Sequence, residues 1–489
     1  LQNTINNLQA GDKVVLQPGV YSGFSVSNKN FASSRGVVFT SADLLNRPII
    51  HGSISVTGST NITFYGLRAE NGATVINVRG SNYISIVNNL ITDYPGAIAG
   101  SAMIFISHSD ESPLGKTIGG NLIMGNYIAD LDHDPFLVVA GSGRQTYYGI
   151  KQNYGVGGFT TIRNNVITGV ADAVAPGGDE GVLPLLYESD SNVTDTWPNK
   201  DIDIYDNLLY GTSDDCIETD GHMTNGRIFN NHLGKCQNSL TFAPLYPGPY
   251  FVVRNYVTGY VENAMKLHNA VGGETRNIYY YQNSIQEGGI KGWTKSAIYR
   301  GIPAMSKNVI FRNNIIDSFN RVYGTDIASN APCEWFHTNH DFNNDLMWSS
   351  TLTPGVDTIF KWGFTNHNGI PGQDDSRCFS TLAEFQIWTA HPDSQHTCTG
   401  ASQPPLVDLI YTCPDQRTIP EEPNGIYANP QWNLVHIPGI TSVDNPPVPN
   451  ETNGAYIMIP SANSPAIDAA MRIPGINDNY AGSGPDIGA

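Results

Sequence analysis

The residues best suited to chemistry are crowded into one short segment, TSDDCIETDGH at 212–222. Three of its carboxylates, Asp214, Glu218 and Asp220, share one face if the segment is a regular strand, because strand side chains alternate between faces. Residues two apart on a strand lie about 6.6 Å apart. Hydrolysis of a glycosidic bond with inversion needs an acid and a base whose carboxyl groups are roughly 6.5–9.5 Å apart. This spacing favours glycoside hydrolysis.

A second set of residues suits a different reaction. Lys266 and His268 lie in the segment NAMKLHN, at 263–269. Elimination from an acidic polysaccharide needs a base such as Lys and a cation that neutralises the substrate carboxylate. Lys266 would be that base, and Asp214, Glu218 and Asp220 would hold Ca²⁺. We rank this lyase alternative second, because carboxylates outnumber basic groups in the cluster.

An internal repeat predicts the elements that must position these residues. Short β-rich runs such as RIFNNHL and FVVRNYV end in an asparagine that recurs along the chain, at Asn89, Asn126, Asn165, Asn207, Asn231, Asn255, Asn283 and Asn314. Strands without helical periodicity that repeat at intervals down to 24 residues are typical of a parallel β-helix. We expect each asparagine to adopt left-handed backbone geometry and to pass amide hydrogen bonds between coils stacked about 4.8 Å apart. A propeller or sandwich is the less favoured alternative.

Counting from each asparagine sorts the other residues into inward and outward columns. Ten and twelve positions on, Ile217, Thr219, Met265 and Leu267 should point inward. The outward columns collect a carboxylate-rich face, with Asp172, Asp214, Glu218, Asp220, Phe242, Lys266 and His268. Aromatic residues there would stack on sugar rings, and a nearby arginine would bind a substrate carboxylate. These substrate-binding candidates are Phe242, Tyr246, Tyr250 and Arg300.

Both ends of the chain resemble a known superfamily. The opening INNLQAGDKVVLQPGVYSG (5–23) looks like the start of right-handed parallel β-helix proteins of the pectate-lyase-like superfamily, in which a short amphipathic helix caps the first coil. The closing segments SPAIDAA (464–470) and NDNYAGSGPDIGA (477–489) resemble the end of the same group. The resemblance implies an all-β, right-handed parallel β-helix with an N-terminal cap. It does not choose a function, because the superfamily includes lyases, hydrolases, epimerases and tailspikes.

Two narrower resemblances bear on the candidate site. The stretch from Ser213 to Ile217 is similar to the paired-aspartate segment of the polygalacturonase family, which implies that Asp214 or Asp215 is the general acid or base. The Gly-His-Gly and Arg-Ile-Lys segments of that family have no match here. The alternative arrangement, with Lys266 and bound Ca²⁺, looks like the calcium-dependent lyases related to chondroitinase B.

Composition excludes several classes of partner. The chain has 489 residues, 14% of them charged, and a net charge of −18. An acidic chain without a basic face is a poor binder of nucleic acid or anionic membranes, and no apolar run is long enough to span a bilayer. With these classes excluded, the carboxylate-rich face and the resemblance to carbohydrate-active β-helix proteins predict a polysaccharide as the partner. A non-catalytic solenoid, such as an adhesin or glycan-binding scaffold, remains the alternative to an enzyme.

The cysteines point to a secreted protein. Cys333, Cys378, Cys398 and Cys413 crowd into a segment with weak periodicity, and we expect two disulfides among them. The pairing of Cys216 and Cys236 stays open. Acceptor sequons at Asn61, Asn192 and Asn450 allow glycosylation. The expected organisation is a capped β-helix over 1–325, a loop-rich disulfide-linked insertion over 326–425 and a final segment over 426–489 that packs on the solenoid.

Overall fold

The computed structural model describes most of the chain, and its residues divide into two units. The described residues are 1–92, 101–107, 118–130, 147–153, 158–177, 199–242, 245–267, 274–286, 296–300, 305–325, 341–362, 377–390, 422–442 and 448–489. Within them, unit 1 covers residues up to Gln237 together with His436–Ala455. Unit 2 covers Asn238–Val435 and Tyr456–Ala489. Each unit is described by itself.

Unit 1 consists of short parallel strands stacked on three faces, numbered in chain order. The first face contains β1 Lys13–Leu16, β3 Val37–Ser41, β5 Thr60–Tyr65, β8 Asn82–Val87, β11 Leu122–Met124, β14 Thr160–Arg163, β17 Asn199–Tyr205 and β20 Gly221–Phe229. The second contains β2 Val20–Ser27, β4 Ile49–Thr57, β7 Ile76–Arg79, β10 Ser101–Ser107, β13 Tyr147–Gln152, β16 Asp172–Ala175 and β19 Asp215–Glu218. The third contains β6 Arg68–Glu70, β9 Leu90–Thr92, β12 Tyr127–Ala129, β15 Val166–Thr168, β18 Leu208–Tyr210 and β21 His232–Gly234.

Unit 2 repeats this architecture with its own three sets of strands. One set contains β23 Leu245–Pro247, β24 Tyr250–Val253, β27 Glu274–Tyr281, β30 Met305–Arg312 and β33 Asp341–Asn343. Another contains β22 Asn238–Phe242, β26 Asn263–Leu267, β29 Ser296–Arg300, β32 Arg321–Thr325, β35 Phe360–Trp362 and the antiparallel β36 Arg377–Phe379. The third contains β25 Tyr256–Thr258, β28 Ser284–Gln286, β31 Ile315–Ser318, β34 Leu346–Ser349 and β37 Ile426–Tyr427. The predicted all-β parallel β-helix fold is confirmed.

The asparagine repeat forms a buried hydrogen-bonded ladder in each unit. In unit 1, the Asn89 amide donates to Asn126 Oδ1 at 3.0 Å, and the pattern continues through Asn165 and Asn207 to Asn231. In unit 2, the ladder runs from Asn255 through Asn283 and Asn314. Asn314 donates to the Asp345 carboxylate at 3.0 Å, so an aspartate takes the next rung. The predicted coil-to-coil amide bonds are confirmed wherever the structure describes them.

The left-handed backbone belongs to the residue before each ladder asparagine, not to the asparagine itself. Asn88, Asn164, Asn230 and Asn313 have φ between 53° and 58°. The preceding residue turns the chain, and the ladder asparagine then directs its side chain into the coil. Asparagine enters left-handed geometry at low cost because its short polar side chain can hydrogen-bond locally, which explains the frequent Asn-Asn pairs.

The termini are tied to the coils by hydrogen bonds. Helix α1 (Gln2–Asn6) lies at the start of unit 1, and its Gln2 amide donates to the Ser25 carbonyl at 2.9 Å. In unit 2, the last residues bond to coil residues, as in the contact of the Ala489 N–H with Ser284 Oγ. A hairpin is formed by β38 Trp432–Ser442 and β39 Val448–Pro460. Its Ile440 N–H donates to the buried Tyr210 hydroxyl in unit 1.

The coils continue beyond the predicted boundary at residue 325. β33 and β34 pair in parallel with β30 and β31, so the segment expected to be loop-rich contributes coil strands of its own. It also contains helix α2 (Leu382–Ala390). The described helices include none that is long and apolar enough to cross a membrane.

Candidate functional site

The acidic segment of unit 1 is built on two neighbouring strands. β16 begins at Asp172, and β19 begins at Asp215 on the adjacent coil, where Val174 lies opposite Ile217. Asp214 precedes the strand in a bend, and its N–H donates to the Ala171 carbonyl at 3.0 Å. Hydrogen bonding between coils therefore brings Asp172 beside two aspartates about forty positions further along the chain.

Three carboxylates converge at this point. One oxygen each of Asp172, Asp214 and Asp215 lies within 4.8 Å of the others. The N–H of Asp215 also donates to Asp172 Oδ1 at 2.8 Å, which fixes the Asp172 carboxylate. Asp172 and Asp215 are only 5% and 2% exposed. Water therefore cannot screen the repulsion between these carboxylates effectively.

The electrostatics of the cluster disfavour the charged form of Asp172. Burial raises the pKa of Asp172 well above its usual range, and the charges of Glu218, Asp214 and Asp215 raise this pKa further. A buried carboxylate beside other carboxylates either takes up a proton or binds a cation. A nearby positive charge would therefore stabilise the ionised form of Asp172.

The donor set fits a hard divalent cation. Ca²⁺ binds carboxylate oxygens at about 2.3–2.6 Å, so two ligands on opposite sides of one ion are up to roughly 5 Å apart. The separations within the Asp172–Asp214–Asp215 cluster lie within that limit. All three side chains are oxygen donors, which favours Ca²⁺ or Mg²⁺ over zinc.

The structure changes the predicted ligand set. Glu218 lies close enough to affect Asp172 electrostatically, but the convergent group contains Asp172 and Asp215 in place of Glu218 and Asp220. The prediction assumed a regular strand from 214 to 220, whereas β19 covers only Asp215–Glu218. Asp220, expected to point outward, is 6% exposed and lies beyond the strand, with its carbonyl packed against Gly177.

Sequence reasoning placed Asp172 on the carboxylate face but not among the ligands. The signal was present, because Asp172 follows Asn165 by seven positions, as Asp214 follows Asn207. The 42-residue step between these two asparagines hid the fact that their coils are neighbours. Counting each residue from the ladder asparagine of its own coil, whatever the spacing between the asparagines, places Asp172 in the same column as Asp214.

A disulfide closes the coil next to the cluster. Cys216, directly after Asp215, is bonded to Cys236, and their Cα atoms are 5.6 Å apart. Both residues are fully buried. This result settles the pairing that the sequence left open.

Lys266 lies in unit 2, on strand β26. Its neighbours Met265 and Leu267 are buried, whereas Lys266 is half-buried, in agreement with the predicted alternation. Along the sheet, Lys266 is in register with Thr241 on one side and Tyr299 on the other. The role of Lys266 as a base stays a prediction.

Two of the aromatic candidates are core residues. Phe242 and Tyr250 are both completely buried, and their rings meet edge to face at 6.3 Å. Their predicted sugar-stacking role is wrong, because neither ring presents a face to solvent. Every residue of β22 is buried, so alternation gave no outward position there. Burial also raises the pKa of the Tyr250 hydroxyl.

The remaining predicted residues fall outside what the structure describes. His268 is not among the described residues, and neither are the side chains of Tyr246 and Arg300. Cys378 is disulfide-bonded, as expected for that region. The other three cysteines of that region lie outside the described residues.

Comparison with known proteins returns structures but no sequence family. No protein-family model and no curated protein matches the chain. One similar structure is a mannuronic acid specific polysaccharide family 6 lyase from human gut microbiota, with 10% identity and a TM-score of 0.40 over 73% of this chain and 87% of that one.

Two further structures have similar scores. A pectate lyase, Pel9A, has 14% identity and a TM-score of 0.33, over 99% of this chain and 89% of that one. A PL6 alginate lyase in complex with a trisaccharide has 10% identity and a TM-score of 0.35, over 88% and 92% of the two chains. At these identities and TM-scores, none of the similarities supports an inference about the chemistry of this chain.

Proposed function

We propose that this chain is a calcium-dependent polysaccharide lyase that acts on an acidic glycan. Asp172, Asp214 and Asp215 of unit 1 are the cation ligands in this proposal. Lys266, the base expected from the sequence, belongs to unit 2 and is tested separately. The observation that carries it is the convergence of three carboxylate oxygens around the buried Asp172. A cation bound there would offset the unfavourable free energy of burying these carboxylates. It would also neutralise the substrate carboxylate, as elimination beside that group requires.

The same geometry argues against the hydrolase reading. An inverting hydrolase leaves room for water between carboxyl groups roughly 6.5–9.5 Å apart. The nearest oxygens of Asp214 and Asp215 are within 4.8 Å of each other and of Asp172. Such spacing suits shared ligation of an ion better than an acid and a base that act on opposite sides of a sugar.

The cation and a general base have separate tasks in this reaction. When bound, Ca²⁺ would neutralise the substrate carboxylate and so acidify the neighbouring C–H. Asp172 is oriented by the Asp215 N–H and holds its ligand position, while Glu218 adds negative charge beside it. A general base takes the proton from that carbon. The electron pair forms the C=C bond as the bond to the glycosidic oxygen breaks, and this oxygen acquires a proton from solvent.

We also propose that the protein acts outside the cell. The support is the Cys216–Cys236 disulfide together with the disulfide-bonded Cys378, because such bonds persist mainly in oxidising compartments. A polysaccharide substrate is found in the same environment.

The proposal is tested by separating elimination from hydrolysis. The protein is incubated with uronate-containing polysaccharides, with Ca²⁺ or with a chelator, while ultraviolet absorbance and new reducing ends are followed. A lyase produces both signals, because its product carries a conjugated C=C bond, and the chelator abolishes both. Reducing ends without absorbance would establish hydrolysis. Neither signal, on any substrate, would favour the non-catalytic solenoid.

A matched pair of lysine variants tests the base. Lys266→Ala should lower kcat by at least about 10²-fold, as expected for loss of a general base. Lys361→Ala is the control, because Lys361 is also a half-buried strand lysine of unit 2. Equal activity of the two variants would remove Lys266 from the mechanism.

A further inference from the structure

The turn that carries Asp214 and Asp215 is held by the following coil at two points. The N–H of Gln237 donates to the Asp214 carbonyl at 3.0 Å. One residue after Asp215, Cys216 is covalently bonded to Cys236. Both attachments come from Cys236 and Gln237, so two adjacent residues of the next coil hold the acidic turn.

The preceding coil holds the same turn from the other side. Ser213 and Asp214 donate their N–H groups to the carbonyls of Val170 and Ala171, each at 3.0 Å. The Asp215 N–H is directed to the Asp172 carboxylate itself. The turn is therefore clamped between two coils, and the covalent part of the clamp lies next to a proposed ligand.

This placement matters because the ligands repel each other. Like charges at this separation drive the carboxylates apart unless the backbone resists. Asp214 lies outside the four-residue strand β19, so strand pairing alone does not fix its position. Partners of metal ligands in the outer shell typically change metal affinity 10–100-fold when they are removed.

We propose that the Cys216–Cys236 disulfide is a positioning device that holds Asp214 and Asp215 in cation-binding geometry. The inference rests on the proposed function, because it concerns the same cation site. Neither cysteine belongs to the proposed ligand set, and in this proposal both act only through the backbone of the acidic turn. The bond gives the site its cation affinity by preventing the turn from relaxing away from Asp172.

A purely structural disulfide would behave differently. A cross-link that closes a 20-residue separation stabilises the whole fold by restricting the unfolded chain. In that case its removal lowers the melting temperature but leaves the Ca²⁺ dissociation constant of the folded protein unchanged. Affinity and stability together therefore distinguish the two roles.

The experiment measures Ca²⁺ binding by calorimetry, well below the melting temperature of every variant. The test variant is Cys216→Ala/Cys236→Ala, and Cys216→Val/Cys236→Ala is the second version because it retains more apolar volume in the buried site. The control is Asn89→Ala, which breaks the ladder elsewhere in unit 1. We expect Ca²⁺ affinity to fall at least about tenfold in the disulfide variants and to stay within twofold in the control.

Each outcome has a distinct meaning. Unchanged affinity in a folded disulfide variant overturns the positioning role while leaving the lyase proposal intact. If neither disulfide variant folds, the bond is a folding requirement and the inference is again overturned. If the wild-type protein does not bind Ca²⁺, or if Asp172→Asn binds it equally well, it is the cation site of the proposed function that fails.

Discussion

Asp172 is the residue on which the candidate site depends most. It is buried, it lies against two aspartates, and its pKa is raised by burial first and by neighbouring carboxylates second. An uncharged isostere at this position would relieve repulsion and remove a ligand at once. Stability and cation binding should therefore respond in opposite directions.

Asp172→Asn tests this opposition directly. In a chelator, the variant should melt at the same temperature as the wild type or higher, because a buried repulsion is gone. In saturating Ca²⁺, the wild type should gain about 2.7 kcal/mol at a hundred dissociation constants, and the variant much less. Asp203→Asn is the control, because Asp203 is a carboxylate of the same unit that pairs with Arg227. Equal Ca²⁺ stabilisation of wild type and Asp172→Asn would contradict the ligand role.

A second buried pair of carboxyl groups lies in unit 2. The Glu422 carboxyl group accepts the Asp345 backbone N–H at 3.2 Å and the Tyr323 hydroxyl at 2.7 Å. Burial raises the pKa of Asp345 to about 6. Burial, and then the Asp345 charge, raise the pKa of Glu422 well above its usual range.

This pair predicts a pH-dependent stability of unit 2. A carboxyl group whose folded pKa is raised stabilises the fold fully below its unfolded pKa, and the contribution is lost as pH rises through the folded value. For Asp345 the loss extends from about pH 4 to about pH 6, and Glu422 continues it to higher pH. Denaturant unfolding between pH 4 and 8 should show this decline. Glu422→Gln should flatten it, since the amide cannot titrate, and an unaltered slope would exclude the pair as its origin.

At the scale of elements, adjacent asparagines do different work. Asn165 is buried and bonds to the next rung of the ladder, whereas its neighbour Asn164 is exposed and has φ of 54°. One residue supplies hydrogen bonds inside the coil, and the other supplies a turn. Their substitutions should therefore be sharply unequal.

The variants Asn165→Ala and Asn164→Gly form a matched test. Loss of the ladder side chain leaves buried amide and N–H groups without partners, at about 1–3 kcal/mol for each group. Glycine at 164 keeps the left-handed turn accessible and should change the free energy of unfolding by less than about 1 kcal/mol. Denaturant titration of both variants measures the difference. Comparable losses would mean that the turn, rather than the ladder, holds the coils together.

Within unit 1, the Tyr210 hydroxyl is hydrogen-bonded to Ile440 of the hairpin formed by β38 and β39. Tyr210 accepts the Ile440 N–H at 2.6 Å and donates to the Ile440 carbonyl at 3.2 Å. Around this bond, Leu208, Tyr210 and Ala455 pack together with Ile437. The hydroxyl pairs both backbone groups of a residue that would otherwise be buried without partners.

Tyr210→Phe should loosen the hairpin without unfolding the coils. Removing the hydroxyl leaves two buried backbone groups unpaired, at roughly 2–6 kcal/mol in total. Hydrogen exchange in 436–442 should become faster, while exchange in β5 and β8 stays the same. Tyr205→Phe is the control, because Tyr205 stacks on Phe229 in the same unit. Unaltered exchange in the hairpin would show that apolar packing alone holds it.

At the scale of the whole molecule, the cation should act on part of the chain. The proposed ligands all belong to unit 1, so bound Ca²⁺ should slow hydrogen exchange around β16 and β19. Strands β28 and β31 of unit 2 contribute no ligand and should exchange at the same rate with and without Ca²⁺. Protection spread evenly over both units would argue that the ion binds elsewhere.

The sequence by itself determined the fold. The regular asparagines predicted the buried hydrogen bonds that join successive coils in the described parts of both units. Alternation within regular strands placed Ile217, Met265 and Leu267 in the interior. These features are local and periodic, so the printed order of residues reveals them. The hydrogen-bonded ladder also extends one residue beyond the predicted asparagines, to Asp345.

Only the tertiary structure decided the site. Asp172 meets Asp214 because their coils are adjacent although the two residues are distant in the sequence. Phe242 is buried in the core although alternation predicted it to point outward. Glu422 reaches Asp345 across 77 positions. Alternation holds only while a strand is regular, and convergence of charges depends on the path of the turns between strands. That path is set by packing and hydrogen bonds between distant segments, which no repeat in the sequence records.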